Sequence, residues 1–453
     1  MGKNFDFDYI IIGSGPAGRT AALNLAKKKK VALVEGKTFG GSDLNSRDIP
    51  YLTNLNFANS YYRLKNFPAT AGSDIHFNFP TLISHQNYVS NLIATEQKKA
   101  LEAAGVTCLN GHAHFLDKNT IAVGQSEYTA KSFIIATGSK LKTGEIAGLD
   151  TVNHLTPDTA LKVSRLPRCA LVIGGGSTGC EIANYYAALG SKVIIMERSS
   201  RLLPREDKEV SDELTNYFTN ELGIMVIPEA RVVAIEQDGM VKRVIFTADG
   251  KEKMVRIDCI VFATGSEPNL DLGLENAGVK YKRSGILVNK FFETSAKNIY
   301  AIGDCLNRFD SSTELAEYEA TLLTSNLLQK SKAAPNYNGF IRMTNTYPEI
   351  AVVGENERDI LAADKKARRA IVYLKDLPSA KIENLGTGFV KLIADKDGHL
   401  LGATIVAPNA GLLAEELSLV LRHRINLAEV ASTPHGALSF NTAIKLAARK
   451  LVK

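Results

Sequence analysis

The alternation of apolar and polar positions sets out the first elements of the chain. Residues Tyr9 to Ile12 form a short unbroken apolar run that stops at Gly13, and Arg19 to Lys28 follows with apolar side chains at helical spacing. A second short run, Val31 to Val34, is closed by Glu35. Unbroken runs of this length, bounded by turn residues, read as strands buried on both faces. The same order returns later, with a run Ala170 to Ile173, a helical pattern Cys180 to Leu189 and a run Lys192 to Met196 closed by Glu197. Two strand–helix–strand units of this kind predict an α/β chain built on parallel sheets. Leu412 to Leu421 reads as an amphipathic helix belonging to a core or an interface.

Both turns between strand and helix carry G-x-G-x-x-G: Gly13, Gly15 and Gly18 in the first, Gly174, Gly176 and Gly179 in the second. The first glycine permits the tight turn, the second lets the backbone approach a pyrophosphate, and the third brings helix and strand together. The unpaired N–H groups of the helix N-terminus then face the anion. Glu35 follows Gly13 by 22 residues and Glu197 follows Gly174 by 23, the spacing of an acid that binds ribose hydroxyls. Two such sites imply two dinucleotides, and a protein that holds two is expected to pass hydride between them.

Composition narrows the setting. At 453 residues the chain has room for about three domains of roughly 150 residues each. With 45% hydrophobic and 23% charged residues it has the make-up of a globular protein, not a disordered one. The net charge of +6 is too diffuse to suggest a nucleic-acid partner. No apolar stretch reaches the ~18 residues that span a bilayer. The cysteines Cys108, Cys169, Cys180, Cys259 and Cys305 are odd in number and lack metal-ligand spacing, so a reducing, cytoplasmic setting and no metal site are expected.

Further motifs accompany the fingerprints: Phe39-Gly-Gly41, Ala136-Thr-Gly138, Ala263-Thr-Gly265 with Pro268-Asn269, Asn298 to Asp304, and Tyr347 to Gly354. With these the chain resembles, end to end, the FAD-dependent pyridine nucleotide-disulfide oxidoreductases, a family that includes lipoamide dehydrogenase, glutathione reductase and mercuric reductase. The resemblance implies two Rossmann-type dinucleotide domains and a C-terminal α+β dimerisation domain: residues 1–150 with 270–335 for FAD, 151–269 for NAD(P), and 336–453 at a homodimer interface. FAD would be held by Gly13, Gly15, Pro16, Ala17, Gly18, Glu35, Gly40, Gly41, Ala113, Thr137, Gly138, Gly303 and Asp304, the last also readable as a helix N-cap. The nicotinamide nucleotide would be held by Gly174, Gly176, Gly179, Glu197, Arg198 and Gly265. Glu197 favours NAD by repelling a 2′-phosphate, while Arg198, with Arg201 nearby, leaves NADP open.

The family pattern breaks at the thiols. Its two redox cysteines fall on Asp43 and Asp48, its flavin-side Lys on Leu52, and the Glu of its C-terminal His–Glu pair on Phe440, with His435 matching the His. A carboxylate cannot carry out thiol–disulfide exchange. Asp43 and Asp48 are readable as proton carriers or hard-cation ligands, or structurally, with Asp43 as an N-cap and Asp48 solvated or paired to Arg47 or to a Lys elsewhere. His435, without its carboxylate, is a weakened acid–base candidate. Glu181 matches the family Glu beside the nicotinamide and is expected to stand unpaired, having lost the Lys. The expectation is an enzyme passing hydride from NADH to FAD and on to a small non-disulfide acceptor such as a quinone, a dye or oxygen. A soluble transhydrogenase, or an FAD-binding scaffold or redox sensor, is the alternative.

Overall fold

The computed structural model describes residues 4–70, 73–142, 146–307, 312–329 and 332–452. The chain groups into two compact units, the first made of Met1–Thr53, Pro80–Lys142 and Gly265–Asn336, the second of Asn54–Phe79, Thr143–Thr264 and Tyr337–Lys453.

In the first unit the run Tyr9 to Ile12 lies in the central strand Phe7–Ile12, which starts two residues earlier and is parallel to Val31–Glu35 on one side and to Ser126–Ile135 on the other, with Ile11 level with Leu33 and with Ile134. Ile10, Ile11, Ala32 and Leu33 are at most 1% exposed, which explains why these strands read as continuous apolar runs. Thr107–Asn110 extends the sheet beyond Val31–Glu35, while Thr120–Val123 and Ala113–Asp117 continue it antiparallel past Ser126–Ile135. Ile299–Ala301 also pairs with Ser126–Ile135. The helix Pro16–Ala26 starts with proline in its first turn, where the missing N–H costs nothing.

The second unit holds a four-stranded parallel sheet in the order Met225–Ile227, Lys192–Met196, Cys169–Ile173, Cys259–Phe262. Its helix Ser177–Ala188 is mostly buried. A three-stranded antiparallel sheet follows over Arg231–Asp238, Val241–Ala248 and Lys251–Ile257. The C-terminal part is a five-stranded antiparallel sheet, Ile341–Thr344, Glu349–Gly354, Leu400–Ala407, Phe389–Ala394 and Arg368–Tyr373, packed with the helices Ala410–Arg422 and Asn441–Leu451. Lys391, fully buried on the fourth of these strands, meets Glu357 at 2.7 Å, Asp207 at 3.0 Å and Glu209 at 3.1 Å. No described helix is long and apolar enough to cross a membrane.

Candidate functional site

The first fingerprint is shaped by what its glycines exclude. A Cβ on Gly13, whose φ is +109°, would fall 2.2 Å from the Ala136 carbonyl oxygen, and one on Gly18 would fall 1.8 Å from the Gly13 carbonyl oxygen. Gly15 differs: a Cβ there meets nothing within 4 Å, and Gly15 caps the helix Pro16–Ala26 without a side-chain bond. An open approach to an uncapped helix N-terminus suits a phosphate. Glu35, at the end of its strand, accepts from the Ser14 N–H at 3.0 Å, the Ser14 hydroxyl at 2.6 Å and the Lys37 N–H at 2.8 Å. Thr137 and Asn269 clasp each other, Oγ1 donating to the Asn269 carbonyl at 2.8 Å and Nδ2 to the Thr137 carbonyl at 2.9 Å.

The second fingerprint repeats this construction. A Cβ on Gly174 would fall 2.3 Å from the Ala263 carbonyl oxygen and one on Gly179 1.9 Å from that of Gly174, whereas Gly176 faces open space. Glu197, 6% exposed, accepts from the Gly175 N–H at 2.6 Å and the Ser199 N–H at 2.7 Å. Arg198 is exposed, while Arg201 is committed to its own loop, donating to the Glu206 carbonyl at 2.9 Å.

The segment that replaces the thiols departs from the N-cap expectation for Asp43. Gly40, not Asp43, caps the short helix Gly41–Asn45. Asp43 is buried and ion-paired: Arg19 Nη2 donates to its Oδ2 at 2.6 Å, and Arg19 Nη1 also reaches the carbonyls of Ser14 and Gly40. Burial pushes the Asp43 carboxyl up, Arg19 opposes that, and Asp48 adds to it. Asp48, in the first turn of the helix Asp48–Asn66, is half-buried and accepts from the Thr313 hydroxyl. The N-cap reading of Asp304 also fails, since Ile302 holds that position and Asp304 accepts from the Ser139 hydroxyl at 3.4 Å.

Two further expectations are corrected in the second unit. Glu181 does not stand unpaired; its Oε1 accepts from the Asn345 N–H at 2.7 Å and from Asn345 Nδ2 at 3.0 Å. Thr344 donates to the Ser177 hydroxyl at 2.9 Å and the Tyr347 N–H to Asn184 Oδ1 at 3.1 Å, so residues 344–347 satisfy one face of the fingerprint helix. His435 does have a carboxylate partner: its Nε2 lies 3.0 Å from Glu416 Oε1, and its Nδ1 2.9 Å from the Thr433 carbonyl oxygen. Asn441 holds the other oxygen of Glu416 at 3.2 Å. Arg19, Asn345 and Glu416 were not apparent from the sequence. The one local signal was an arginine set among the small and apolar residues of the first fingerprint helix.

Fold and fingerprints together define an α/β protein with two Rossmann-type dinucleotide modules. A family model described as pyridine nucleotide-disulphide oxidoreductase matches residues 7–320, and the dimerisation domain of the same family matches residues 341–448. The chain belongs to this family of FAD-dependent oxidoreductases, which use a pyridine nucleotide. It is 31% identical over 452 residues to a mercuric reductase of Bacillus cereus, covering 98% of this chain and 71% of that protein. To a dihydrolipoyl dehydrogenase of Staphylococcus aureus it is 30% identical over 460 residues, covering 98% of this chain and 96% of the relative. Among solved structures, the HOCl-induced flavoprotein disulfide reductase RclA of Escherichia coli superposes with a TM-score of 0.88 at 25% identity, over 98% of this chain and 100% of that one. LpdA of Mycobacterium tuberculosis does so with a TM-score of 0.88 at 26% identity, over 98% and 99%. The dimerisation domain supports a homodimer.

Proposed function

We propose that the chain takes hydride from NADH onto FAD and delivers the electrons to an acceptor other than a disulfide, such as a quinone, a dye or oxygen. The observation that carries this reading is the buried Arg19–Asp43 ion pair, at the position aligned with the family's first redox cysteine. The second aligned position is Asp48, held by Thr313. Thiol–disulfide exchange needs an attacking thiolate and a second sulfur to leave, and neither position offers one. The cysteines elsewhere are free thiols; Cys305 is buried, and burial raises Cys108, Cys169 and Cys180, and Cys259 to about 11.

FAD, when bound, supplies the hydride-accepting and electron-releasing chemistry. The residues of the chain bind and orient. Gly13, Gly15, Pro16, Ala17 and Gly18 present a helix N-terminus to the FAD pyrophosphate, with Gly40, Gly41, Ala113, Thr137, Gly138, Gly303 and Asp304 as its further contacts. Glu35 spends three acceptor sites on the protein and keeps capacity for a ribose hydroxyl. Gly174, Gly176 and Gly179 do the same for the nicotinamide nucleotide, and Glu197 favours a free 2′-hydroxyl. Glu181, fixed by Asn345, orients the nicotinamide end.

A soluble transhydrogenase is the second reading, favoured by the exposed Arg198 beside Glu197, which suits a 2′-phosphate. Anaerobic stopped-flow mixing of the purified flavoprotein with NADH, and separately NADPH, tests both. Rapid flavin bleaching by NADH, followed by reoxidation with quinone, dye or oxygen but not with lipoamide or glutathione disulfide, is expected. Reoxidation by a disulfide would overturn the proposal, and efficient transfer to a second nicotinamide would favour the transhydrogenase.

A further inference from the structure

We infer that Arg19 and Asp43 are a positioning pair for the FAD-binding loop, coupled so that neither tolerates loss of the other. Arg19 sits on the helix that the first fingerprint opens, and its side chain is almost fully enclosed, at 6% exposure. It bonds to three separate pieces of backbone and side chain: the Ser14 carbonyl within the fingerprint, the Gly40 carbonyl, and both oxygens of Asp43. Ser14 completes the circuit, its hydroxyl accepting from the Gly40 N–H at 2.8 Å and donating to Glu35 at 2.6 Å. A Cβ on Gly41 would fall 2.6 Å from Gly15 Cα, so the Gly40–Gly41 turn lies directly against the glycine that a pyrophosphate must approach. One guanidinium thus sets the distance between the fingerprint turn, the end of the ribose-acid strand and the helix Gly41–Asn45.

The physics of the pair makes it hard to undo one residue at a time. Removing one partner of a buried ion pair leaves the other charge desolvated and without its counter-ion, whereas replacing both by apolar side chains is often neutral or stabilising. Restoring a cysteine at position 43 alone therefore leaves Arg19 buried without its carboxylate, and the thiol chemistry cannot return by that single step. The inference rests on the first fingerprint holding FAD and does not depend on the identity of the acceptor.

The test uses the holoprotein and the variants R19M, D43N, D43C and R19M/D43L, reading the rate of FAD dissociation by flavin fluorescence beside thermal unfolding by circular dichroism. Each single variant is expected to release FAD at least about tenfold faster, and R19M/D43L to return to within about threefold of the parent. R19K, which keeps the charge, covers the case in which R19M fails to fold, and is expected to lie between R19M and the parent. Single variants that release FAD at the parental rate, or a double variant as impaired as the two singles combined, would overturn the coupling. Altered unfolding with unaltered FAD release would reduce the pair to a fold-stabilising role. Failure of NADH to reduce the flavin would instead overturn the proposed activity and leave these dissociation rates intact.

Discussion

His435 and Glu416 stand 3.0 Å apart, with the end of one helix and the whole short helix Leu427–Ser432 between them in the chain, although the local motif around His435 places Phe440 where a carboxylate would be sought. The carboxylate has moved to the helix Ala410–Arg422, and Asn441 steadies it. Truncation by Glu416→Ala should cost about 1–3 kcal/mol, the price of leaving a buried polar ring nitrogen unsatisfied. A lowered unfolding midpoint with an unchanged rate of flavin reduction by NADH is the expected outcome. A large fall in that rate would place the pair in the reductive path.

The cluster around Lys391 makes a sharper stability prediction. Lys391→Met leaves Asp207, Glu209 and Glu357 close together without the buried cation that binds all three, and a loss of about 3–5 kcal/mol is expected. Denaturant titration at neutral pH measures it directly.

The same cluster carries a pH dependence whose sign is fixed. Burial works against the Glu357 charge, but Lys391 and Arg369 outweigh it and hold its carboxyl below the ordinary 4.5. The stabilisation is therefore present above 4.5 and lost as the pH falls through the lowered value. Burial likewise opposes the Lys391 charge, yet Glu357, Asp207 and Glu209 raise it above 10.5, so its contribution persists below 10.5 and fades as the pH rises through the raised value. Parent and Lys391→Met should thus differ most between these limits. An unfolding midpoint gap that stays constant from pH 3 to 8 would contradict this.

Leu412 and Leu419 lie seven residues apart on one helix and are 75% and 56% exposed. An apolar pair so exposed on the dimerisation domain is expected to be covered in the homodimer. Leu412→Asp with Leu419→Asp should shift the particle mass towards a monomer in light scattering.

Nucleotide choice is expected to hinge on Glu197. Glu197→Ala removes the carboxylate proposed to bind the ribose hydroxyls, and at roughly 1.5–3 kcal/mol for a hydrogen bond to a charged group the KM for NADH should rise about tenfold or more. An unchanged KM would remove Glu197 from the nucleotide site.

What the sequence made legible follows from the range of the interactions. Each fingerprint is local in sequence, from Gly13 to Glu35 and from Gly174 to Glu197, so glycine spacing, flanking apolar runs and the terminal acids were readable from the chain alone, although the backbone those glycines approach, at Ala136 and Ala263, is distant. The loss of the thiols was equally readable, because residue identity at positions 43 and 48 decides it. What replaced the lost partners was not. Asn345 reaches Glu181 from 164 positions away, and Glu416 reaches the loop residue His435 from the helix Ala410–Arg422. Arg19 lies only 24 positions from Asp43, yet a helical arginine normally extends into solvent, and only the packing turns this one inward.

The central claim, that electrons leave the flavin without a thiol relay, is tested most directly by counting them. In an anaerobic titration of the flavoprotein with NADH or dithionite, the account predicts that flavin absorbance bleaches fully with one two-electron equivalent per FAD and that no thiolate charge-transfer band develops. Uptake of a second equivalent before bleaching, or a long-wavelength band at the halfway point, would reveal a redox-active sulfur pair and contradict it.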